Sequence, residues 1–314
     1  MEKSSNINKK LVDETRKLRN EFEETVLVYS SDLWKYCKYI TGSPWDGEDL
    51  YQETIIKSFG LLPQRWSDIT DKKYYLFKIA TNTWIDHCRK HKREIGTLDE
   101  APEPYYDSSN HLLLEEILTS LESNLTIKET AAFLLMDIFQ FSAEEVAGIV
   151  QSTSGGVYSS VQRARRKIAS LDFSKAKSNI KINTQSHNVT IQAYLEAFNN
   201  GNLKSMLSLF SEHAQNEAFF GFQEFSKEEM CNGSLKFGLP GHIAKEVVLW
   251  DKPVIIVITN NNHGPKIHDI QIQEIENGKI VSHKSYFFRK EFILAAAEEL
   301  GIKAQLVKPP VNWS

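Results

Sequence analysis

Two stretches decide the fold of the first half of the chain: Asp46-Gly-Glu-Asp-Leu-Tyr-Gln-Glu-Thr-Ile-Ile-Lys-Ser-Phe59 and Tyr75-Leu-Phe-Lys-Ile-Ala-Thr-Asn-Thr-Trp-Ile-Asp-His-Cys-Arg89. In the first, apolar residues recur at helical spacing, which predicts a helix over 45–62 that ends at Pro63. The second belongs to a predicted helix over 76–93. A third helix is expected over 22–40, and it should end there because Gly42 and Pro44 stop a helix. The N-terminal half is therefore predicted to be all-α.

The helix predicted over 76–93 has one apolar and one polar face. The apolar face comprises Phe77, Ala80, Trp84 and Cys88, and the polar face comprises Lys78, Asn82, Asp86, Arg89, Lys90 and Arg93. Arg and Lys bind phosphates, and Asn can read a base edge. In the preceding loop Trp66 accompanies Lys72 and Lys73, a pairing that suits the capture of an unpaired base. These features favour a DNA-binding helix.

The charge distribution agrees with this interpretation better than the total charge does. The chain of 314 residues has a net charge of −4, yet residues 72–93 hold seven bases and one acid, and residues 163–167 hold four bases. Between them, residues 98–145 hold eleven acids and one base. Basic patches separated by an acidic stretch are typical of a nucleic-acid binder, and solvated helix faces are the alternative that charge alone leaves open.

Composition narrows the class of protein. Hydrophobic residues make up 41% and charged residues 25%, as in ordinary globular proteins. No run reaches the roughly 18 apolar residues of a membrane span, and residues 1–10 have no signal-peptide core. Three dispersed cysteines exclude a disulfide framework. His87, Cys88 and His91 have no fourth ligand nearby, so neither a metal nor a cofactor is expected, and the cytoplasm is the expected compartment.

Residues 141–168 have the layout of a helix-turn-helix. Ser142 with Glu145 forms a capping box for the first helix, and Thr153 or Ser154 caps the second. The buried face of the second helix comprises Val157, Val161, Ala164 and Ile168, and its outward face comprises Ser154, Gly155, Tyr158, Ser159, Gln162, Arg163 and Arg166. An outward polar face is what a major-groove helix requires.

Together these segments resemble the extracytoplasmic-function sigma factors of bacterial RNA polymerase. That family shows D-x-E-D-L-x-Q-E-T and then W-L-x-x-I-A-x-N-x-x-x-D-x-x-R in domain 2, where this chain has Tyr75 in place of Trp. By the resemblance, Glu48, Asp49, Gln52 and Glu53 contact core polymerase, the helix over 76–93 opens the −10 element, and the helix-turn-helix reads the −35 element as domain 4. Gln151 replaces the usual turn glycine, and Gly155-Gly156 lies in the first turn of the second helix.

The last third of the chain changes its periodicity. Helices are predicted over 188–199 and 203–210, followed by strands over 247–259, 266–276 and 280–288, with a hairpin at Asn277-Gly278 and a last helix over 289–300. This layout resembles the SnoaL-like α+β cone, which in such sigma factors implies a built-in regulator. The fold class is therefore multidomain: all-α sigma domains 2 and 4, then an α+β cone.

The predicted organisation has six segments: a flexible N-terminus (1–20), domain 2 (21–95), a linker (96–111), domain 4 (112–173), a second linker (174–187) and the cone (188–314). The expected partners are core RNA polymerase and promoter DNA, with no membrane, and the cone has either a small-molecule or an intramolecular ligand. The expected function is that of an alternative sigma factor modulated by its own cone.

Two other functions remain as alternatives. One is a helix-turn-helix regulator with a ligand-sensing cone, which leaves the match at 46–59 unexplained. The other is an enzymatic cone that uses His268 and Asp269 as an acid–base pair. Adjacent strand residues point to opposite faces, which argues against that pair. Four aromatic residues are expected to line the cone as core or as a ligand cage: Phe219, Phe220, Phe222 and Trp250.

Overall fold

The chain divides into two compact units, Met1–Asn179 and Ile180–Ser314. The computed structural model describes residues 22, 24–60, 68–94, 125–169, 188–235, 241–261, 264–308 and 311–312. The predicted N-terminal segment (1–20) and both predicted linkers lie outside these residues. The division between the units falls inside the second predicted linker, whereas the finer domain boundaries stay predictions. Within the described ranges, no helix is long and apolar enough to cross a membrane.

Three helices open the N-terminal unit: α1 over 24–41, α2 (Pro44–Gly60) and α3 (Lys72–Glu94). Gly42 adopts a left-handed conformation with φ 68°, which lets the chain turn between α1 and α2. Asp71 Oδ1 accepts a hydrogen bond from the Tyr74 amide at 2.8 Å and so caps the start of α3. Helix α3 therefore begins four residues earlier than predicted and includes Lys72 and Lys73, which were expected in a loop.

The helix-turn-helix follows in the same unit. Helix α4 (Ile127–Phe133) continues as a π-helical turn (Leu134–Ile138), and α5 (Ala143–Val150) and α6 (Ser154–Ala169) come next. The predicted capping box of Ser142 and Glu145 is present. The Thr153 hydroxyl accepts a hydrogen bond from the Gly156 amide at 3.1 Å, so Thr153 caps α6. Gln151 takes the left-handed turn conformation, with φ 54°, that glycine usually supplies.

The C-terminal unit is a curved sheet with helices. Its helices are α7 (Val189–Asn199), α8 (Leu203–Ser208), α9 (Lys227–Asn232) and α10 (Lys290–Leu300). Its strands are β1 (Phe210–Ala218), β2 (Phe222–Glu224), β3 (His242–Leu249), β4 (Lys252–Asn261), β5 (Gly264–Glu276), β6 (Lys279–Ser285), β7 (Lys303–Ala304), β8 (Val307–Lys308) and β9 (Val311–Asn312). In the described part, the sheet order is β2-β1-β6-β5-β4-β3, β7 pairs with β5, and β8 pairs with β9.

One predicted strand of this unit was wrong. The apolar run over 247–259 forms parts of both β3 and β4, which pair antiparallel around a turn at Trp250 and Asp251. Both turn residues have positive φ, 46° and 61°, although neither is glycine. By contrast, Asn277 and Gly278 have φ 50° and 74°, as the predicted hairpin requires. The turn at 250–251 has no glycine, but Asp251 and Pro253 are breaker residues inside the predicted strand, and the prediction over 247–259 did not use that signal.

Helices α7 and α8 cover one face of the sheet. Tyr194, Phe210, Ile255 and Ile280 are buried there in one apolar cluster. Helix α10 packs on β5 and β3 and buries Phe292 and Ile293. The arrangement is an α+β cone, as predicted, with β5 at the centre of the sheet.

We expect Gly47→Ala to destabilise the N-terminal unit by about 1–3 kcal/mol. A β-carbon on Gly47 would lie 2.5 Å from the Lys38 Cα atom, so α1 and α2 would have to move apart. Gly60→Ala in the same helix is the matched control, since its β-carbon meets nothing within 4 Å. Thermal unfolding of both variants measures the difference, and equal unfolding temperatures would contradict the close packing of the two helices.

Candidate nucleic-acid interface

Helix α3 carries the residues predicted to contact the −10 element. Asp86, Arg89 and Lys90 are exposed on it, and Lys72, Lys73, Lys78 and Asn82 are partly exposed. Arg89 Nη1 lies 3.3 Å from Asp86 Oδ1, one helical turn away, so that acid partly neutralises a predicted phosphate contact. Trp66 lies outside the described residues, and Arg93 lies in the last turn of α3. The described exposed charges nevertheless follow the predicted polar face.

The apolar face of α3 is rotated from the predicted one. Leu76, Phe77 and Ala80 are fully buried, whereas Trp84 and Cys88 are only half-buried. Trp84 stacks on His87, with ring centroids 6.3 Å apart, at the edge of the helix that faces solvent. Trp84 therefore contributes an aromatic surface near the basic residues, a feature that helical periodicity alone assigned to the core.

Two of the predicted DNA-binding lysines are engaged within the unit. Lys73 Nζ donates to the Phe139 carbonyl oxygen at 3.1 Å and lies 5.0 Å from the Phe141 ring centroid. Lys78 Nζ lies 5.4 Å from the centroid of the Tyr74 ring. In this arrangement, Lys73 links α3 to the segment that leads into the helix-turn-helix. To contact a phosphate as predicted, its ammonium would have to leave these contacts.

The predicted polymerase contacts on α2 divide into two groups. Glu48 is fully buried and accepts hydrogen bonds from Trp34 Nε1 at 2.8 Å and from Gln52 Nε2 at 2.7 Å. Gln52 is also buried. Assigning Glu48 and Gln52 to a docking surface was therefore wrong, because a buried carboxylate with satisfied oxygens holds α1 and α2 together. Asp49 is exposed, as expected.

Glu53, the fourth predicted contact, is partly occupied by neighbouring charges. Its carboxylate lies 2.8 Å from Lys57 Nζ and 2.8 Å from His87 Nε2. Partial burial alone would raise the pKa of Glu53, but the hydrogen bonds and charges of Lys57 and His87 outweigh it and hold that pKa below its ordinary value. Glu53 thus ties α2 to α3 near the basic face.

The exposed side of α1 and α2 has an apolar character that periodicity did not reveal. Leu27 and Val28 of α1 and Ile56 and Phe59 of α2 are large hydrophobic residues exposed by 68%, 73%, 65% and 49%. Exposed apolar groups beside a charged residue such as Asp49 are typical of a protein-binding surface. The sequence feature that could have indicated this exposed apolar surface was Ile56, which is apolar and directly follows the buried Ile55.

Helix α6 presents the surface predicted to read the −35 element. Val157, Val161 and Ala164 are buried, as predicted, whereas Ile168 is only half-buried. Of the predicted outward residues, Ser154 is half-buried and the others are exposed: Gly155, Tyr158, Ser159, Gln162, Arg163 and Arg166. A β-carbon on Gly155 would meet nothing within 4 Å, so its backbone is open to an approaching partner. The outer face is therefore polar and accessible, as a groove-binding helix requires.

Ion pairs to α4 and the π-helical turn restrain part of this helix. Arg163 Nε donates to Glu129 Oε1 at 2.5 Å, and Arg165 makes two hydrogen bonds of 2.7 Å to Asp137. The Arg163 side chain is thus directed toward α4, at one side of the surface predicted to read the −35 element. Arg165 was not predicted to have a role, and its paired geometry with Asp137 fixes α6 against the preceding segment.

The C-terminal unit contains a separate cluster of polar groups around β5. Asp269 Oδ2 accepts hydrogen bonds from Gln271 Nε2 at 2.9 Å and from the Ser285 hydroxyl at 2.8 Å. Tyr194 donates to Gln271 Oε1 at 3.1 Å. Burial raises the pKa of Asp269 to about 6, although these hydrogen bonds and the charge of Lys308 oppose that rise.

The structure overturns the argument that His268 and Asp269 face apart. Val257 pairs with Asp269 and Ile258 pairs with Ile267, which leaves His268 as the extra residue of a β-bulge. The His268 ring lies 4.1 Å from that of His242, and His242 is on the Asp269 side of the sheet, two residues before the partner of Val257. The bulge therefore brings His268 and Asp269 to one face.

Two of the aromatic residues expected to line the cone lie elsewhere. Phe220 and Phe222 are exposed by 48% and 40%, and Phe219 packs on Tyr286 with ring centroids 5.0 Å apart. Trp250 packs on Phe292 of α10 and donates to Glu299 Oε2 at 3.2 Å. The prediction was wrong for Phe220 and Phe222, which are exposed, whereas Trp250 packs on the buried Phe292, as a core residue does.

Comparison with known proteins defines the class of the N-terminal unit. Residues 26–94 match the family Sigma-70 region 2. The ECF RNA polymerase sigma factor SigM of Bacillus subtilis (strain 168) is 25% identical over 154 residues, which are 48% of this chain and 93% of that protein. The RNA polymerase sigma-E factor of Streptomyces avermitilis is 27% identical over 152 residues, 47% of this chain and 83% of that protein.

A solved structure, the extracytoplasmic function sigma factor SigJ of Mycobacterium tuberculosis, covers 87% of this chain and 98% of its own at 16% identity, with a TM-score of 0.33. Residues 26–94 thus form a Sigma-70 region 2 unit, and the curated relatives of the N-terminal unit are RNA polymerase sigma factors. To this unit the chain adds a C-terminal α+β cone.

Gly155→Ala is expected to lower promoter affinity about five- to tenfold without destabilising the protein. Alanine is favoured over glycine in a helix by up to about 1 kcal/mol, and the new methyl group meets no protein atom within 4 Å. The methyl group does block close approach of DNA to the start of α6. Binding is measured on promoter DNA that the native chain selects from random sequence, and unchanged affinity would remove Gly155 from the reading surface.

His268→Phe is expected to make the C-terminal unit less sensitive to acid. Burial, together with the charges of His242 and Lys308, lowers the pKa of His268 to about 3. The neutral imidazole therefore stabilises the fold above pH 6.5, and that stability is lost as the pH falls toward 3, by up to about 1.4 kcal/mol per pH unit. From pH 7 to pH 5, the variant should gain stability relative to the native chain.

Urea unfolding, followed by methyl NMR signals of the C-terminal unit, measures this change with pH. His213→Phe is the control, because His213 is exposed on β1 and its imidazole is hydrated in the folded and the unfolded chain. Parallel stability curves for the native chain and His268→Phe between pH 7 and pH 5 would show that burial does not keep His268 neutral.

Proposed function

We propose that this chain directs core RNA polymerase to a specific set of promoters. In this proposal, α2 docks on polymerase, α3 binds and opens the −10 element, and α6 holds the −35 element. The observation that carries it is the presence, in one compact unit, of the exposed basic face of α3 and the accessible polar face of the capped helix α6. The curated relatives of this unit are named RNA polymerase sigma factors.

The docking surface that we infer combines Asp49 with the exposed apolar residues of α1 and α2. Glu48 and Gln52 act indirectly, since their buried hydrogen bonds to one another and to Trp34 fix the orientation of α2. Asp49 follows Glu48 and so points away from that bond pair, into solvent. Ile56 and Phe59 add apolar area on the exposed side of the helix, and burial of such area supplies most of the free energy of a stable interface.

The C-terminal cone is proposed to modulate transcription rather than to catalyse a reaction. Asp269 accepts hydrogen bonds from Gln271 and Ser285 within the sheet, so its carboxyl group is held by structural partners rather than directed to a substrate. Because promoter DNA lies in the bacterial cytoplasm, we propose that the protein acts there.

Run-off transcription with purified core polymerase tests the proposed function. Full-length protein should produce transcripts from promoters that it selects, whereas core polymerase alone should not. A chain that ends after residue 177 keeps the N-terminal helices and should still support transcription, with a several-fold change in activity if the cone modulates initiation. Failure of the full-length protein to support any selected promoter would refute the proposal.

The double variant Asp49→Ala, Ile56→Ser should bind core polymerase at least tenfold more weakly. Both side chains are exposed, so the variant should unfold within a few degrees of the native chain, which thermal unfolding checks. Glu144→Ala, an exposed acid on α5, is the control for the loss of a negative charge. Equal core binding by the double variant and the native chain would place the docking surface elsewhere.

The double variant Arg89→Ala, Lys90→Ala should bind promoter DNA with a weaker dependence on salt. Each phosphate contact contributes about 0.9 to the slope of log K against log salt concentration, so the loss of two contacts lowers the slope by up to about 1.8. Lys128→Ala on α4 is the control, because it removes one exposed positive charge outside both proposed DNA surfaces. An unchanged slope in the double variant would exclude these two residues from the DNA contact.

A further inference from the structure

The bulge of β5 forms one wall of a cluster that the sigma-factor function does not use. His268 is 6% exposed, and among the described residues neither of its ring nitrogens has a hydrogen-bond partner. Its ring contacts that of His242 at 4.1 Å and that of Phe287 at 5.0 Å, edge to face. A buried polar group without a partner is costly, so each imidazole nitrogen of His268 gains by binding a polar atom.

The C-terminal strap, residues 303–308, brings a lysine into this cluster. Lys308 is 2% exposed, its ammonium lies 4.1 Å from the Phe287 ring centroid, and it donates to the His268 carbonyl oxygen at 2.5 Å. The strap is held to β5 by pairing of Lys303 and Ala304 with β5. The ammonium therefore has a fixed position against the aromatic wall and beside the bulge.

The charges of the cluster favour a negative ligand. Burial comes first among the causes that lower the pKa of His268, and repulsion from His242 and Lys308 adds to it, so cationic groups lie near the His268 ring. Asp269 is the neighbouring acid, and both of its oxygens accept hydrogen bonds, from the Ile270 amide on one side and from Gln271 and Ser285 on the other. The carboxyl oxygens of Asp269 are thus already engaged within the sheet.

We propose that His268, His242, Phe287 and Lys308 form a binding site for a small organic carboxylate. The carboxylate accepts hydrogen bonds from Lys308 and from the N–H of His268, and the apolar part of the ligand packs on Phe287. The aromatic wall favours an organic acid over a strongly hydrated inorganic anion, whose hydration shell the site does not replace. The site is built by the C-terminal unit alone and does not depend on promoter binding.

Benzoate is the probe, and benzamide is its uncharged match in shape. Histidine-ring NMR of the full chain should show a saturable shift of His268 with benzoate and a response at least tenfold weaker with benzamide. Inorganic phosphate should not compete at equal concentration. Equal binding of benzamide, displacement by phosphate, or no saturable response to benzoate would each overturn the proposal.

Variants locate the site. Lys308→Met and His268→Phe should each weaken benzoate binding at least tenfold, and in Lys308→Met the shift of His268 is the direct readout. Lys303→Met is the matched control, since this lysine is exposed on the same strap and should leave affinity unchanged. Should either cluster variant fail to fold, the contrast between benzoate and benzamide in the native chain decides alone. Native affinity in folded Lys308→Met would refute the assignment.

Discussion

An aromatic cluster in the N-terminal unit is the interaction on which its other features depend. Phe77 of α3 contacts Tyr36, Phe139 and Phe141, with ring centroids between 5.0 and 5.2 Å apart. These rings come from α1, α3 and the segment before α5. One aromatic cluster therefore joins α1 and α3, the helix proposed to open DNA, with the helix-turn-helix. The Tyr36 hydroxyl is satisfied by Thr81 Oγ1 at 2.6 Å, which lets the ring be fully buried.

This cluster sets a competition between packing and DNA binding. Lys73 lies over the rings of Phe77 and Phe141 and donates to the Phe139 carbonyl, yet it is also a proposed phosphate contact. A cation over aromatic rings is stabilised by roughly 0.5–2 kcal/mol. In the proposed complex with DNA, a phosphate contact would have to offset this loss. In the same way, Glu53 holds Lys57 and His87 beside the basic face of α3 and shapes its charge without touching DNA.

The sequence predicted features with local causes and missed those with tertiary causes. The capping box at Ser142, the hairpin at Asn277 and the buried side of α6 follow from short-range geometry, and all are confirmed. Glu48 and Gln52, four residues apart, have the pattern of a solvated helix edge, and the hydrogen bond from the Trp34 indole belongs to the tertiary packing that makes that edge internal. Lysine is rarely buried, but at Lys308 a carbonyl, an aromatic ring and a nearby carboxylate compensate its burial. No local pattern encodes such partners.

The β5 bulge shows how one extra residue creates chemistry that strand alternation forbids. Strand β6 ends at Ser285, so the Ile267 and His268 carbonyls of β5 lie beyond its register. The C-terminal strap supplies their donors: the Gln305 amide bonds to Ile267 at 2.8 Å, and the Lys308 ammonium bonds to His268. The same bulge that turns the His268 ring toward Asp269 thus also directs its carbonyl to the strap. A positively charged, aromatic-walled cluster follows from satisfying the backbone at the end of a short strand, because the group that reaches the His268 carbonyl is an ammonium.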